Sequence, residues 1–165
     1  MATVEPVPAH VAGTFDIGMF ECNKHKACAD GNACVCCIAH IGPTCCFYTD
    51  LEAKAGVVNE CGPDNTFWML CCATPLRMGG SAFPPLRVAG FCCEGQALLA
   101  TRQAVLEKYK IQEDPCETTI YAFCCGTCAM AQQSNQLMTH EGFVMDGPQK
   151  VKKAEPPKLT EMPRA

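Results

Sequence analysis

Between residues 95 and 110, positions Leu98, Thr101, Val105 and Tyr109 recur at three- and four-residue spacing, and Leu99 and Leu106 widen that stripe. Arg102, Glu107, Lys108 and Lys110 supply the polar side. The pattern predicts an amphipathic helix over 95–110 with one face committed to a core or a partner. Asp114 then stands before Pro115, with Glu117 three positions on from Asp114. That is an N-cap, a proline at the first helical position and a capping-box carboxylate, so a second helix is predicted over 115–138. On it Cys124 and Cys128 are four apart and share a face. Two antiparallel helices joined by a short turn follow, and the predicted class is mainly α: a small cysteine-rich single domain built on a helical hairpin.

The rest of the chain is less periodic. Residues 1–14 contain Pro6 and Pro8 and read as a flexible N-terminal arm. The apolar run over 33–48 is interrupted by His40 and by Gly42-Pro43, and 50–54 is short, charged and helix-friendly. The middle, 56–95, alternates turn-rich loops with short apolar runs. One of these, 67–73, is expected to end at Pro75, and the long helix is expected to open at Glu94-Gly95. Residues 139–165 read as an extended, solvated C-terminal tail, with a small basic cluster at Lys150, Lys152 and Lys153. This leaves 15–138 as the cysteine-rich domain. No stretch has eighteen consecutive apolar residues, so no ordinary transmembrane helix is predicted.

Composition changes this picture in one respect. The chain has 165 residues and a formal net charge of −4, which suits one domain with tails and argues against nucleic acid as the main partner. Its 16 cysteines are far above ordinary usage. The first residues lack the basic start and apolar run of a secretory signal, which implies a reducing compartment. There is no phosphate loop, nucleophile elbow or metalloprotease helix, so an enzyme is not expected.

Three fates compete for the cysteines. Ten of them form five vicinal pairs, and adjacent cysteines rarely bond to each other. As small buried hydrophobes they would serve the core, the reading favoured for Cys71, Cys72, Cys92 and Cys93, which sit in apolar runs. As thiolates they would hold zinc, cadmium or copper(I). Cys34, Cys36 and Cys37 would then meet Cys125 and Cys128 in space, with His25 or His40 as substitute ligands. As disulfides they would join distant positions with a connectivity the sequence does not give.

Several motifs occur in the order of a known family. Phe15-Asp-Ile-Gly-Met-Phe-Glu-Cys22 resembles its opening Trp-x-x-Gly-Leu-Phe-x-Cys. Cys28 and Cys34-Val-Cys36-Cys37 resemble its next cluster. Arg102-x3-Leu106-x-Lys108-Tyr109-x-Ile111-x3-Pro115-Cys116, then Phe123-Cys124-x3-Cys128 and Gln132-x4-Leu137, resemble its later ones. Together they resemble the placenta-specific gene 8 family of cysteine-rich proteins, which includes plant cadmium-resistance and cell-number-regulator proteins. The resemblance implies a membrane-associated, non-enzymatic protein in metal-ion handling or growth regulation, at a membrane surface on the cytoplasmic side or in an organelle. It implies a shared site for zinc or another thiophilic metal, with Cys34, Cys36, Cys37, Cys124, Cys125 and Cys128 as ligands. The alternative is a structural accessory subunit of a respiratory or photosynthetic membrane complex, with protein partners holding the terminal arms.

Overall fold

A computed structural model describes residues 13–29, 44–78, 84–146 and 150–154. The order is a 3-10 turn at Cys22–Lys24, then α1 (Lys26–Ala29), α2 (Thr44–Ala55), α3 (Pro63–Met78), α4 (Pro84–Tyr109), α5 (Pro115–Cys124) and α6 (Gly126–His140). Two short strands, β1 (Phe143–Met145) and β2 (Val151–Lys153), close the described chain. The class is mainly helical, as expected.

The turn between α4 and α5 forms as the sequence predicts. Asp114 is in extended backbone, and its carboxylate accepts from the amides of Cys116 and Glu117, while Pro115 occupies the first turn. At the end of α4, Lys110 takes a left-handed conformation (φ 56°), and the amide of Ile111 reaches back to the carbonyl of Leu106. The reversal lays α5 back along α4.

Three boundaries differ from expectation. The long helix begins at Pro84 rather than Gly95, because Gly95 is a contact residue and not a start signal: a Cβ there would lie 2.3 Å from the Phe123 ring. Next, α3 runs through Pro75 to Met78. Proline's φ is already helical, its missing N–H removes one hydrogen bond, and α3 packs along α4. The segment 115–138 is two helices, because Cys125 leaves helical geometry (φ −122°, ψ 35°) and Gly126 starts a new one.

Helix α6 is the centre of the fold. Residues 129–138 are all buried, and α2, α4, α5, β1 and the N-terminal segment surround it. Leu98, Val105, Leu137, Met138, Phe47, Leu51 and Phe143 form the apolar core. Five consecutive polar residues, Gln132 to Gln136, are also buried. They supply hydrogen bonds to an N-terminal segment with little secondary structure of its own. Gln132 donates to the carbonyl of Ile17 (2.9 Å), Gln136 accepts from the amide of Asp16 (3.0 Å), and Asn135 accepts from the amide of Lys26 (2.8 Å). His25 is fully buried, and its Nδ1 accepts from the amide of Ala27 (3.0 Å). The proton therefore sits on Nε2, which donates to Ser134 (2.9 Å).

Arg102 departs most from its expected place. Expected on the polar face, it is fully buried. Its Nε donates to Glu113 Oε2 (2.6 Å), and Nη2 donates to the other carboxylate oxygen and to Gln132 (2.9 Å). Phe15 and Tyr121 stack against the guanidinium, 4.6 and 5.3 Å from their centroids. Leu106, expected in the apolar stripe, is only half-buried. Part of the expected tail also folds back. β1 and β2 pair antiparallel, with Phe143 opposite Lys153 and Met145 opposite Val151, and Phe143 and Val151 enter the core, while Asp50 and Lys54 of α2 bond the backbone of Val151.

Replacing Glu113 by Gln leaves a buried guanidinium without its counter-ion and should destabilise the fold by about 3–5 kcal/mol, read from denaturant midpoints. A loss below about 1 kcal/mol would show that Gln132 and the two aromatic rings suffice.

The buried polar groups also set a pH profile. Burial raises the carboxyl of Glu52 to about 7 from 4.5, partly offset by the Thr101 hydroxyl beside it. The folded state keeps a proton there that the unfolded chain has lost, so stability falls as pH rises from 4.5 to about 7. Burial lowers His25 to about 4 from 6.5, so stability falls as pH drops from 6.5 to about 4. Each window is worth about 3 kcal/mol. The two slopes oppose each other, and the wild type should be nearly flat where they overlap. Glu52→Gln should expose the His25 slope alone and become acid-labile. His25→Asn should expose the Glu52 slope and lose stability towards neutral pH. Thermal melts of both variants across this range check it, and parallel profiles would refute the assignment.

Candidate functional site

The break between α5 and α6 opens a groove of about 250 Å³ against α4. Cys124, Cys125 and Cys128 line it, together with Phe123, Glu94 and Gly95. All three cysteines are thiols. Cys124 is exposed, and Cys125 and Cys128 are half-buried, so a ligand can reach them.

Two glycines make the groove. Gly95 lets Phe123 lie directly on the backbone of α4. At Gly126 a Cβ would lie 2.9 Å from Leu98 Cδ1 and 3.7 Å from Glu94 Oε1, so the start of α6 sits against α4 with the Glu94 carboxylate beside it. The amide of Cys125 donates to the carbonyl of Tyr121 (3.1 Å), and its own carbonyl accepts from Ala129 (2.9 Å). Cys125 is thus the hinge between the helices: it is the N-cap of α6, and its own side chain makes no capping hydrogen bond. Cys128 lies in the first turn.

The thiols of this groove are soft donors suited to zinc or cadmium, but a tetrahedral site needs four. Among the described residues, no group of three or more His, Cys, Asp or Glu is arranged to hold a metal ion. The groove therefore offers part of a ligand set. Cys34, Cys36, Cys37 and His40 lie outside the described residues. His25, the other substitute ligand, has both ring nitrogens engaged in the core.

The core expectation for the middle cysteines holds only in part. Cys72 and Cys92 are exposed, Cys93 is half-buried, and half-buried Cys71 packs against the core. Each vicinal pair lies on a helix, where neighbours point about 100° apart and cannot both face one core. The cysteine that does become core is Cys45 of α2, which contacts Cys46 and Cys71. Burial first, and those two thiols next, push Cys45 up to about 12. That thiol stays protonated and unreactive. The sequence pointed to Cys124, Cys125 and Cys128, but not to Glu94 or Gly95 as lining residues. The available signal was a glycine within a helical pattern, which often marks close approach.

Gly95→Ala should cost about 1–3 kcal/mol although alanine is the better helix former, because Phe123 must be displaced. Thermal melting reads this, and an equal or higher melting temperature would contradict the close approach.

No family model, curated protein or solved structure matches the chain, so the chemistry of this groove rests on its own residues.

Proposed function

We propose that this protein is a non-enzymatic, cysteine-rich handler of thiophilic metal ions that works at a membrane surface. The observation that carries the reading is the gathering of Cys124, Cys125 and Cys128 in one reachable groove. These are the cysteines of the late motif through which the chain resembles the placenta-specific gene 8 family, and that resemblance implies metal handling and membrane association. Further ligands come from the early cluster, Cys34, Cys36 and Cys37. The association in this reading is by surface contact; among the described residues no helix is long and apolar enough to cross a membrane.

The test is cadmium titration of the reduced, chelator-treated full chain, followed by thiolate-to-metal charge-transfer absorbance. Tight binding is expected, weakened at least about tenfold when Cys124, Cys125 and Cys128 are all replaced by Ser, since each lost thiolate removes a metal bond. Unchanged affinity in that variant would place the ion elsewhere, and no absorbance at all would end the metal reading.

A second reading, an accessory subunit of a membrane-bound assembly, is favoured by a different observation. Trp68 and Cys72 on α3, and Val88 and Cys92 on α4, are exposed pairs at four-residue spacing on two packed helices. Exposed apolar surface of this kind suits a protein partner. Size-exclusion chromatography discriminates: a stable, soluble monomer over a wide concentration range would count against obligate assembly.

A further inference from the structure

We propose that Cys125 and Cys128 form a reversible dithiol–disulfide couple that exchanges with low-molecular-weight disulfides such as glutathione disulfide. This does not rest on the metal reading, since the exchange needs no ion.

The geometry is that of a Cys-x-x-Cys pair across a helix start. Residues three apart on a helix have Cβ atoms about 5–6 Å apart, while a disulfide wants about 3.5–4.5 Å. Two ordinary helical residues would have to distort the helix to close that gap. Here Cys125 is the N-cap, outside helical geometry (φ −122°, ψ 35°), so its Cβ is not held at the helical spacing from Cys128. Gly126 between them has no side chain to obstruct the movement. The groove admits the incoming disulfide. The positive end of the α6 dipole favours negative charge on a sulfur at this turn. The buried thiol of Cys45 has none of these features.

The reaction balances without another reagent. The Cys125 thiolate attacks one sulfur of glutathione disulfide. The S–S bond breaks, a Cys125–glutathione bond forms, and one glutathione thiolate leaves and takes up the proton from Cys125. Cys128 then attacks the Cys125 sulfur, the mixed bond breaks, and a second glutathione leaves with the proton from Cys128. Two electrons pass from the pair to the disulfide, and excess glutathione runs both steps in reverse.

The experiment uses the reduced full chain with chelator present. The chain is equilibrated in mixtures of reduced and oxidised glutathione, quenched with acid, and mapped by peptide mass spectrometry. The expected first product is a Cys125–Cys128 disulfide, formed before any adduct on the exposed Cys72, Cys92 or Cys116, and lost on adding reduced glutathione. Cys128→Ser should trap glutathione on Cys125, Cys125→Ser should abolish oxidation at this turn, and Cys124→Ser should leave the couple intact. Wild-type mapping decides the matter even if a variant fails to fold. Both thiols remaining reduced while other cysteines oxidise, or a first disulfide with another partner, would overturn the proposal. Because no metal is present, these outcomes are independent of the cadmium titration.

Discussion

The fold depends on one buried cation. Arg102 has no access to water, and a guanidinium in that position must be paired or the chain does not adopt this structure. The partner it finds is Glu113, in the turn between α4 and α5, and the bidentate contact fixes where that turn lies relative to α4. Thr118 donates to the same carboxylate (2.8 Å), which carries the constraint into α5. Gln132 carries it into α6, and Phe15 into the N-terminal segment. A buried ion pair adds little net stability compared with a well-packed apolar pair, because both charges lose their hydration. Its effect is on selection: packings that separate Arg102 from Glu113 strand a charge. The adjacent Asp114 caps α5, so two neighbouring carboxylates divide the work, one turned into the core and one onto the helix end.

The same pair explains why the hairpin was legible and its interior was not. Asp114-Pro115 is a local signal, read from residues that act on their own backbone. Periodicity placed Leu98, Thr101 and Val105 inward correctly, and all three are buried. Arg102 was assigned outward by residue type alone, although it follows Thr101 on the same face as Leu98 and Val105. Burial of an arginine depends on a carboxylate eleven residues away and two aromatic rings on other elements. None of that is encoded in the pattern of one helix. The buried polar run Gln132 to Gln136 likewise depends on partners distant in sequence: it supplies hydrogen bonds that the segment around Asp16 and Ile17 would otherwise lack.

The C-terminal hairpin shows the limit from the other side. Val151 lies among lysines and reads as part of a basic, exposed stretch. Its burial is decided by Asp50 and Lys54, which bond its amide and carbonyl, while Lys152 and Lys153 are exposed. A single apolar residue in a polar run is too weak a signal for a strand without that long-range pairing.

For the candidate site, density of cysteine was informative but position was not. The sequence contains five vicinal pairs that look alike, and the helices sort the four among the described residues. On α2 and α3, packing brings Cys45 against Cys46 and Cys71 and withdraws it from chemistry. On the outer sides of α3 and α4, Cys72 and Cys92 face away from the core. At the α5–α6 break, the vicinal pair is followed by a glycine that must touch Leu98, so the helix restarts at that point and the next cysteine falls in the new first turn. The reactive arrangement therefore arises from a packing requirement between two glycines and α4. Gly126 begins the new helix in close contact with α4, and the restart leaves Cys125 outside helical geometry at the N-cap.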